Sequence, residues 1–245
     1  TKSSAASDVY KRQVYAHRGD RSRAADNTLA AYDLAVAAGA DGIEMDVRAT
    51  SDGVLIMAHD PQHDGLPPFA DVPFSDVRRD APEVPTLEET LSTVPGHVFL
   101  NIEVKNTFGQ PGFDESRDLT QQVLDMVRAL DDPDRVLFSS FDPESVARAR
   151  HTHPDIVTGL LITGAIPIDT AIEAAQTLSV QAINPPMTSV APSPRSVLST
   201  IHDAGFSSVV WNANTPDEVD VLVACGVDVI ITDDPSMARS IIDQR

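Results

Sequence analysis

Cysteine is almost absent: Cys225 stands alone in 245 residues, which excludes an internal disulfide framework and any cysteine-rich metal knot. Basic residues are also few. Lysine and arginine total 18 against 37 aspartates and glutamates, a formal charge of −19. A protein that grips a nucleic-acid backbone needs a basic face, so no nucleic-acid partner is expected. An anionic small molecule stays admissible, because a bound cation inverts the field locally. No run of about 18 apolar residues occurs, so no transmembrane segment is expected. Residues 1–13 are polar and carry no apolar signal-peptide stretch, and they read as an N-terminal extension ahead of one domain over 14–245. Cytoplasmic and secreted mature chains are both compatible with that start, and the oligomeric state is left open. What is present is a globular balance, 42% hydrophobic and 22% charged, in a chain long enough to bury a large core.

Short apolar runs alternate with helical patterns. Val14–His17 precedes a helical pattern over 27–38 that closes at Gly39. Gly42–Val47 and Val54–His59 flank the turn Ser51-Asp52-Gly53, too short for a parallel crossover, so they form a hairpin. Residues 60–84 hold five prolines and read as a loop insertion. Thr86 with Glu89 three residues on signals a helix start. Further apolar runs at 98–105, 136–140, 158–162, 181–184, 208–211 and 229–232 are each followed by a helical pattern. With the hairpin return set aside, eight strand–helix units remain. That number, at a typical size of ~250 residues, predicts a (β/α)8 TIM barrel with a hairpin excursion after strand 2. A doubly wound open sheet is the runner-up, weakened by the missing glycine-rich fingerprint after the first strand.

In a barrel the chemistry sits at the C-terminal ends of the strands. Strand period two puts Glu44 and Asp46 on one face of 42–47, with Ile43, Met45 and Val47 on the other. Asn101, Glu103 and Lys105 share a face in the same way. Carboxylates facing a barrel interior are costly unless paired or bound to a cation. Three of them from neighbouring strands suit a hard divalent ion, Mg²⁺ or Ca²⁺, without choosing between the two. Structural ion pairing is the simpler alternative. His17 and His59 each end an apolar run, where two imidazoles can act as acid and base on a phosphodiester. The other histidines fall in loops or helices and read as ordinary polar residues. Arg18 has the planar fork that clamps phosphate oxygens, or else pairs with a nearby carboxylate. Lys105 supplies a fixed positive charge for an anionic ligand. Trp211, the single tryptophan, either packs on a ligand or fills the barrel rim. Asp234, directly before Pro235, reads as a helix cap.

The ordered set His17-Arg18-Gly19, Asp26-Asn27-Thr28, Glu44-Met45-Asp46-Val47 and His59-Asp60 resembles the glycerophosphodiester phosphodiesterase family. Pro85-Thr86-Leu87-Glu88-Glu89, Glu103-Val104-Lys105, Ser140-Phe141, Trp211-Asn212 and Ile230-Ile231-Thr232-Asp233 agree with it. The resemblance implies a TIM barrel that hydrolyses glycerophosphodiesters to glycerol 3-phosphate and an alcohol. It implies His17 and His59 as acid and base, Glu44, Asp46 and Glu103 as ligands of one divalent cation, and Arg18 and Lys105 as phosphate contacts. Two departures stand out. Asp26 replaces the family's usual glutamate, and the proline-rich 62–84 segment lacks an Arg-Thr-Thr-type stretch, which bears on head-group preference. The closest rival is a lysophospholipase D or sphingomyelinase-D-like phosphodiesterase on the same barrel, with Leu66, Pro67, Pro68 and Phe69 offering an apolar groove. A noncatalytic binding protein ranks lower, since every core position is filled. A Schiff-base barrel enzyme would have only Lys105 as its interior lysine, beside carboxylates that keep it protonated.

Overall fold

The computed structural model describes residues 12–245, so the expected N-terminal extension lies, up to Lys11, outside the described residues. Nine strands follow in chain order: β1 (Gln13–His17), β2 (Gly42–Ala49), β3 (Leu55–Met57), β4 (Phe99–Val104), β5 (Val136–Ser140), β6 (Val157–Leu161), β7 (Ala182–Asn184), β8 (Ser207–Val210) and β9 (Val229–Thr232). All except β3 are joined in parallel, and the β1–β2 and β1–β9 pairings close them into an eight-stranded ring. The barrel expectation holds. β3 is the hairpin return: it runs antiparallel to β2 from Val47 to Ala49, beyond the reach of β1, whose pairing ends at Glu44.

The helices are α1 (Leu29–Ala37), α2 (Phe74–Asp80), α3 (Leu87–Thr93), α4 (Asp118–Arg128), α5 (Pro143–Thr152), α6 (Ile168–Leu178), α7 (Met187–Val190), α8 (Pro194–Asp203), α9 (Pro216–Cys225) and α10 (Pro235–Ile242). Several of their starts follow from capping chemistry. Thr86 and Glu89 form a reciprocal capping box on α3, and Thr215 with Glu218 does so on α9. Asp234 accepts from the Met237 amide at the start of α10, as the sequence suggested. Proline opens α5, α8, α9 and α10, where its missing N–H costs nothing.

Residues 60–84 differ from the expected loop. Phe69–Asp71 forms a 3-10 turn and α2 follows it. The proline density hides a helical spacing at Phe74, Val77 and Ala81. Asp76 in the first turn and Arg78 and Arg79 in the last suit the helix dipole. Val77 and Ala81 bury with Ile56, Ala58, Phe69 and Val84 in a small core of their own. Phe69 is only 2% exposed and so is not free to line an apolar groove, while Leu66 packs beside it with part of its surface exposed.

Strand alternation divides the residues of each strand between two apolar layers. Ile43, Met45 and Val47 face outward against α1 and its neighbours, within the largest core cluster. Inside the barrel, Tyr15, Leu137, Ala182, Val209, Val229 and Ile231 form an apolar plug, with Phe99, Val157 and Trp211 packed against it. The Tyr15 ring takes the room beside Gly42, where a Cβ would stand 2.6 Å from a ring carbon. Above the plug the inward residues become polar, and there the site begins.

Candidate active site

The strand register assembles the polar layer. His17 pairs in register with Glu44, Glu44 with Asn101, and Asp46 with Glu103. Glu44, Asp46 and Glu103 each offer an oxygen within 4.8 Å of the others, and all three are buried. The pocket above them has about 490 Å³ of empty space. Its walls include His17, Arg18, Glu44, His59, Glu103, Lys105 and Trp211. Every site residue expected from the sequence therefore lies at one mouth, with Asp46 in the carboxylate cluster at its floor.

Local backbone geometry fixes the cluster. Arg18 adopts a positive φ of 55°, and its amide donates to both the Glu44 carbonyl and Glu44 Oε2. Gly19 follows at φ +87°, so close to α1 that a Cβ would meet Ala31 Cβ at 2.6 Å. Asn27, also left-handed, donates from Nδ2 to Asp46 Oδ2 at 2.8 Å and accepts from the Asp46 amide and the Tyr32 hydroxyl. The motif around Asp26-Asn27-Thr28 thus orients a carboxylate. Arg18 lies 3.0 Å from both Asp26 and Asp46, so it is an ion-pair partner as well as a pocket wall. Lys105 Nζ donates to Glu103 and lies 2.9 Å from Asp46 Oδ1.

The electrostatics divide the carboxylates. Burial first, then Asp46 and Glu103, push Glu44 well above the usual carboxylate range. Glu103 is pushed up to about 7, by burial and by Asp46, against the pull of Lys105. For Asp46 burial acts upward too, but Lys105 and Arg18 outweigh it and hold it well below the usual range. Two carboxyls of three therefore resist ionisation in the protein alone, which is how an anionic site short of positive charge behaves. An all-oxygen, closely spaced, buried donor set fits a hard divalent cation.

His17 is held by residues the sequence reading did not assign to the site. Its Nδ1 lies 2.6 Å from Asp233 Oδ1, with Asn212 Nδ2 at 2.9 Å and Arg21 Nη1 at 3.1 Å. Arg21 and Asn214 in turn donate to Asp233. The signal for Asp233 was present: it continues the inward face of β9 two residues after Ile231. His59 lies two residues past β3, its Nδ1 2.8 Å from Asp60. Burial lowers the pKa of both imidazoles, with the Asp233 hydrogen bond opposing at His17 and the Lys105 charge adding at His59. Trp211 donates from Nε1 to the Asn184 carbonyl and meets Phe141 edge to face at 5.8 Å, forming an apolar wall with Leu161 and Ile231. Asn184 itself is fully buried and absent from that wall.

A closed parallel barrel that gathers acidic, basic and imidazole groups at the C-terminal ends of its strands has the form of a (β/α)8-barrel enzyme. The model of the glycerophosphoryl diester phosphodiesterase family matches residues 17–237. A glycerophosphodiester phosphodiesterase from Caldanaerobacter subterraneus is 28% identical over 95% of this chain and 98% of its own length. Another, from Bacillus subtilis, is 30% identical over 68% of this chain and 66% of its own. Among solved structures, an Oleispira antarctica phosphodiesterase in complex with the product sn-glycerol-3-phosphate superposes with a TM-score of 0.85 at 23% identity, covering 97% of this chain and 99% of that one. The chain belongs to the glycerophosphoryl diester phosphodiesterase family.

Proposed function

We propose that the protein hydrolyses glycerophosphodiesters to glycerol 3-phosphate and an alcohol, using one divalent cation and two histidines. The observation that carries this reading is the joint geometry: three buried carboxylates within 4.8 Å of one another, in a pocket also walled by two imidazoles and two cations. The relatives named glycerophosphodiester phosphodiesterase and the product complex of the Oleispira enzyme support the substrate class. Glu44, Asp46 and Glu103 would hold Mg²⁺ or Ca²⁺. Bound there, the ion would offset phosphate charge and make a neighbouring hydroxyl more acidic.

The chain's own groups do the rest. Arg18 and Lys105 receive the nonbridging phosphate oxygens. Burial lowers the pKa of both histidines, which favours a neutral base. One, in its neutral form, takes the proton from the attacking hydroxyl, and the other, in its protonated form, delivers a proton to the departing alkoxide as its bond to phosphorus breaks. Attack by a glycerol hydroxyl gives a cyclic phosphate that water reopens; direct attack by water reaches the same products. Of the residues expected to offer a lysolipid an apolar groove, Phe69 is buried in its own small core, while Leu66, Pro67 and Pro68 keep exposed surface; assay of a lysophospholipid beside glycerophosphocholine separates the two readings.

The test is a metal-replete assay on glycerophosphocholine with product identification. His17→Ala and His59→Ala are each expected to lower turnover at least ~10²-fold while the protein stays folded, and exhaustive chelation to stop it. Near-normal turnover in both variants would dismiss the histidines, and full activity after chelation would dismiss the cation.

A further inference from the structure

A second pocket, more open to solvent, lies directly beside the first. It is walled by Thr163, Pro186, Met187, Thr188 and Glu218, and it shares Trp211 and Asn212 with the reaction pocket. The two differ in charge. The reaction pocket has Arg18 and Lys105 in its wall, while the second has no basic residue and a single charged group, Glu218. That carboxylate is held in place: Oε2 accepts from the Asn214 and Thr215 amides at 2.9 and 3.0 Å. Both bonds fall on the same oxygen, so Oε1 is not used by the helix cap. Trp211 is fixed as well, through its Nε1 bond to Asn184 and the edge contact with Phe141.

We infer that this second pocket receives the alcohol side of the diester and favours a cationic head group, a primary or quaternary ammonium. The inference rests on the hydrolytic reading above and assigns the half of the substrate that it left undefined. A phosphodiester has two arms. With the phosphate against Arg18 and Lys105, one arm remains in the reaction pocket and the other passes the Trp211–Asn212 partition into the neighbouring space. An ammonium there is bordered by Trp211 and a fixed carboxylate, residue types that together recognise alkylammonium ligands. An uncharged polyol gains a hydrogen bond to Glu218 without the charge attraction, and an anionic head group meets Glu218 with like charge. Met187 and Pro186 supply apolar surface suited to methyl groups.

Two measurements decide it. The first is the ratio of kcat/KM for glycerophosphocholine over glycerophosphoglycerol, in wild type and in Glu218→Gln. Glutamine retains a cap acceptor, and an unchanged melting temperature verifies the fold. The ratio is expected to favour choline in wild type and to fall about tenfold in the variant; an equal ratio in both proteins overturns the subsite. The second uses Trp211, the only tryptophan, as its own reporter. Choline should change its fluorescence saturably, and 3,3-dimethylbutan-1-ol, the uncharged isostere, should do so about tenfold more weakly. Equal responses, or none, overturn the inference. Failure to hydrolyse any glycerophosphodiester would sink the reaction and leave the fluorescence result to judge the pocket.

Discussion

His17 and Asp233 lie 216 positions apart in the chain, yet their side chains meet at 2.6 Å. The pairing of Ala16 with Thr232, which closes the barrel, brings the next residue of each strand alongside the other. Three groups reach His17 Nδ1, and the shortest contact, to the Asp233 carboxylate, favours a proton on that nitrogen over the longer approaches of Asn212 and Arg21; the lone pair then stays on Nε2, the nitrogen 3.9 Å from Glu44. Asp233 thereby acts as a positioning residue for an acid–base group. Asp233→Asn retains the shape but can turn an amide donor toward Nδ1 and favour the opposite tautomer. The expected result is a fall in kcat of about tenfold or more, with KM little changed, and a switch of the His17 ring-nitrogen pattern in ¹⁵N NMR. An unchanged tautomer with an unchanged kcat would remove Asp233 from this role.

The carboxylate cluster makes a prediction about stability that runs against ordinary expectation for a buried residue. An acid whose folded pKa lies above its unfolded value, about 4.3 for glutamate, takes up protons on folding. Its contribution therefore worsens as pH rises from the unfolded value through the folded one. Glu44 is shifted up and Glu103 sits at about 7, so the metal-free protein should lose stability between about pH 4.5 and 7. Glu44→Gln removes a carboxyl that must either stay protonated or ionise beside Asp46 and Glu103. In chelator at pH 8 the variant should unfold at higher urea than wild type, and the gap should narrow at pH 5. Excess Mg²⁺ or Ca²⁺ should reverse the order, since an ion at a hundred times its Kd stabilises by about 2.7 kcal/mol and the variant binds it less well. A variant less stable than wild type in chelator would show that the cluster is not under charge strain.

The contrast between β2 and residue 233 shows what a linear reading can reach. Period-two alternation put Glu44 and Asp46 on one face because a strand has only two faces, and that geometry needs no tertiary information. The same rule separated Asn101, Glu103 and Lys105 from Ile102 and Val104. Closing eight such strands at one mouth then follows from the barrel itself. Contacts made by closure were not legible: Asp233 reaches His17 only because β9 pairs with β1. For Arg18 the sequence offered a carboxylate partner without naming one; the structure pairs its guanidinium with Asp26 and Asp46. Helix α2 was hidden for another reason. Its proline-rich flanks signal turns, while the packing of Val77 and Ala81 against Ile56 depends on a hairpin folded over them.

Away from the active site, at the amino-terminal ends of the strands, His202 of α8 lies 2.8 Å from Asp228 Oδ2, just before β9. The same carboxylate oxygen accepts from the Ser208 amide and hydroxyl, tying helix, β8 and β9 together. The hydrogen bond to Asp228 raises the His202 pKa, against the opposing effect of burial. A base with a raised folded pKa stabilises fully below its unfolded value, near 6.5, and loses that contribution as pH climbs past the folded one. His202→Gln should therefore cost more stability at pH 5.5 than at pH 8.5. The imidazole is 34% exposed, so solvent screening keeps the difference below about 1 kcal/mol. Urea midpoints of wild type and variant at the two pH values measure it, and an equal cost at both would mean that the ion pair adds nothing beyond the neutral contact.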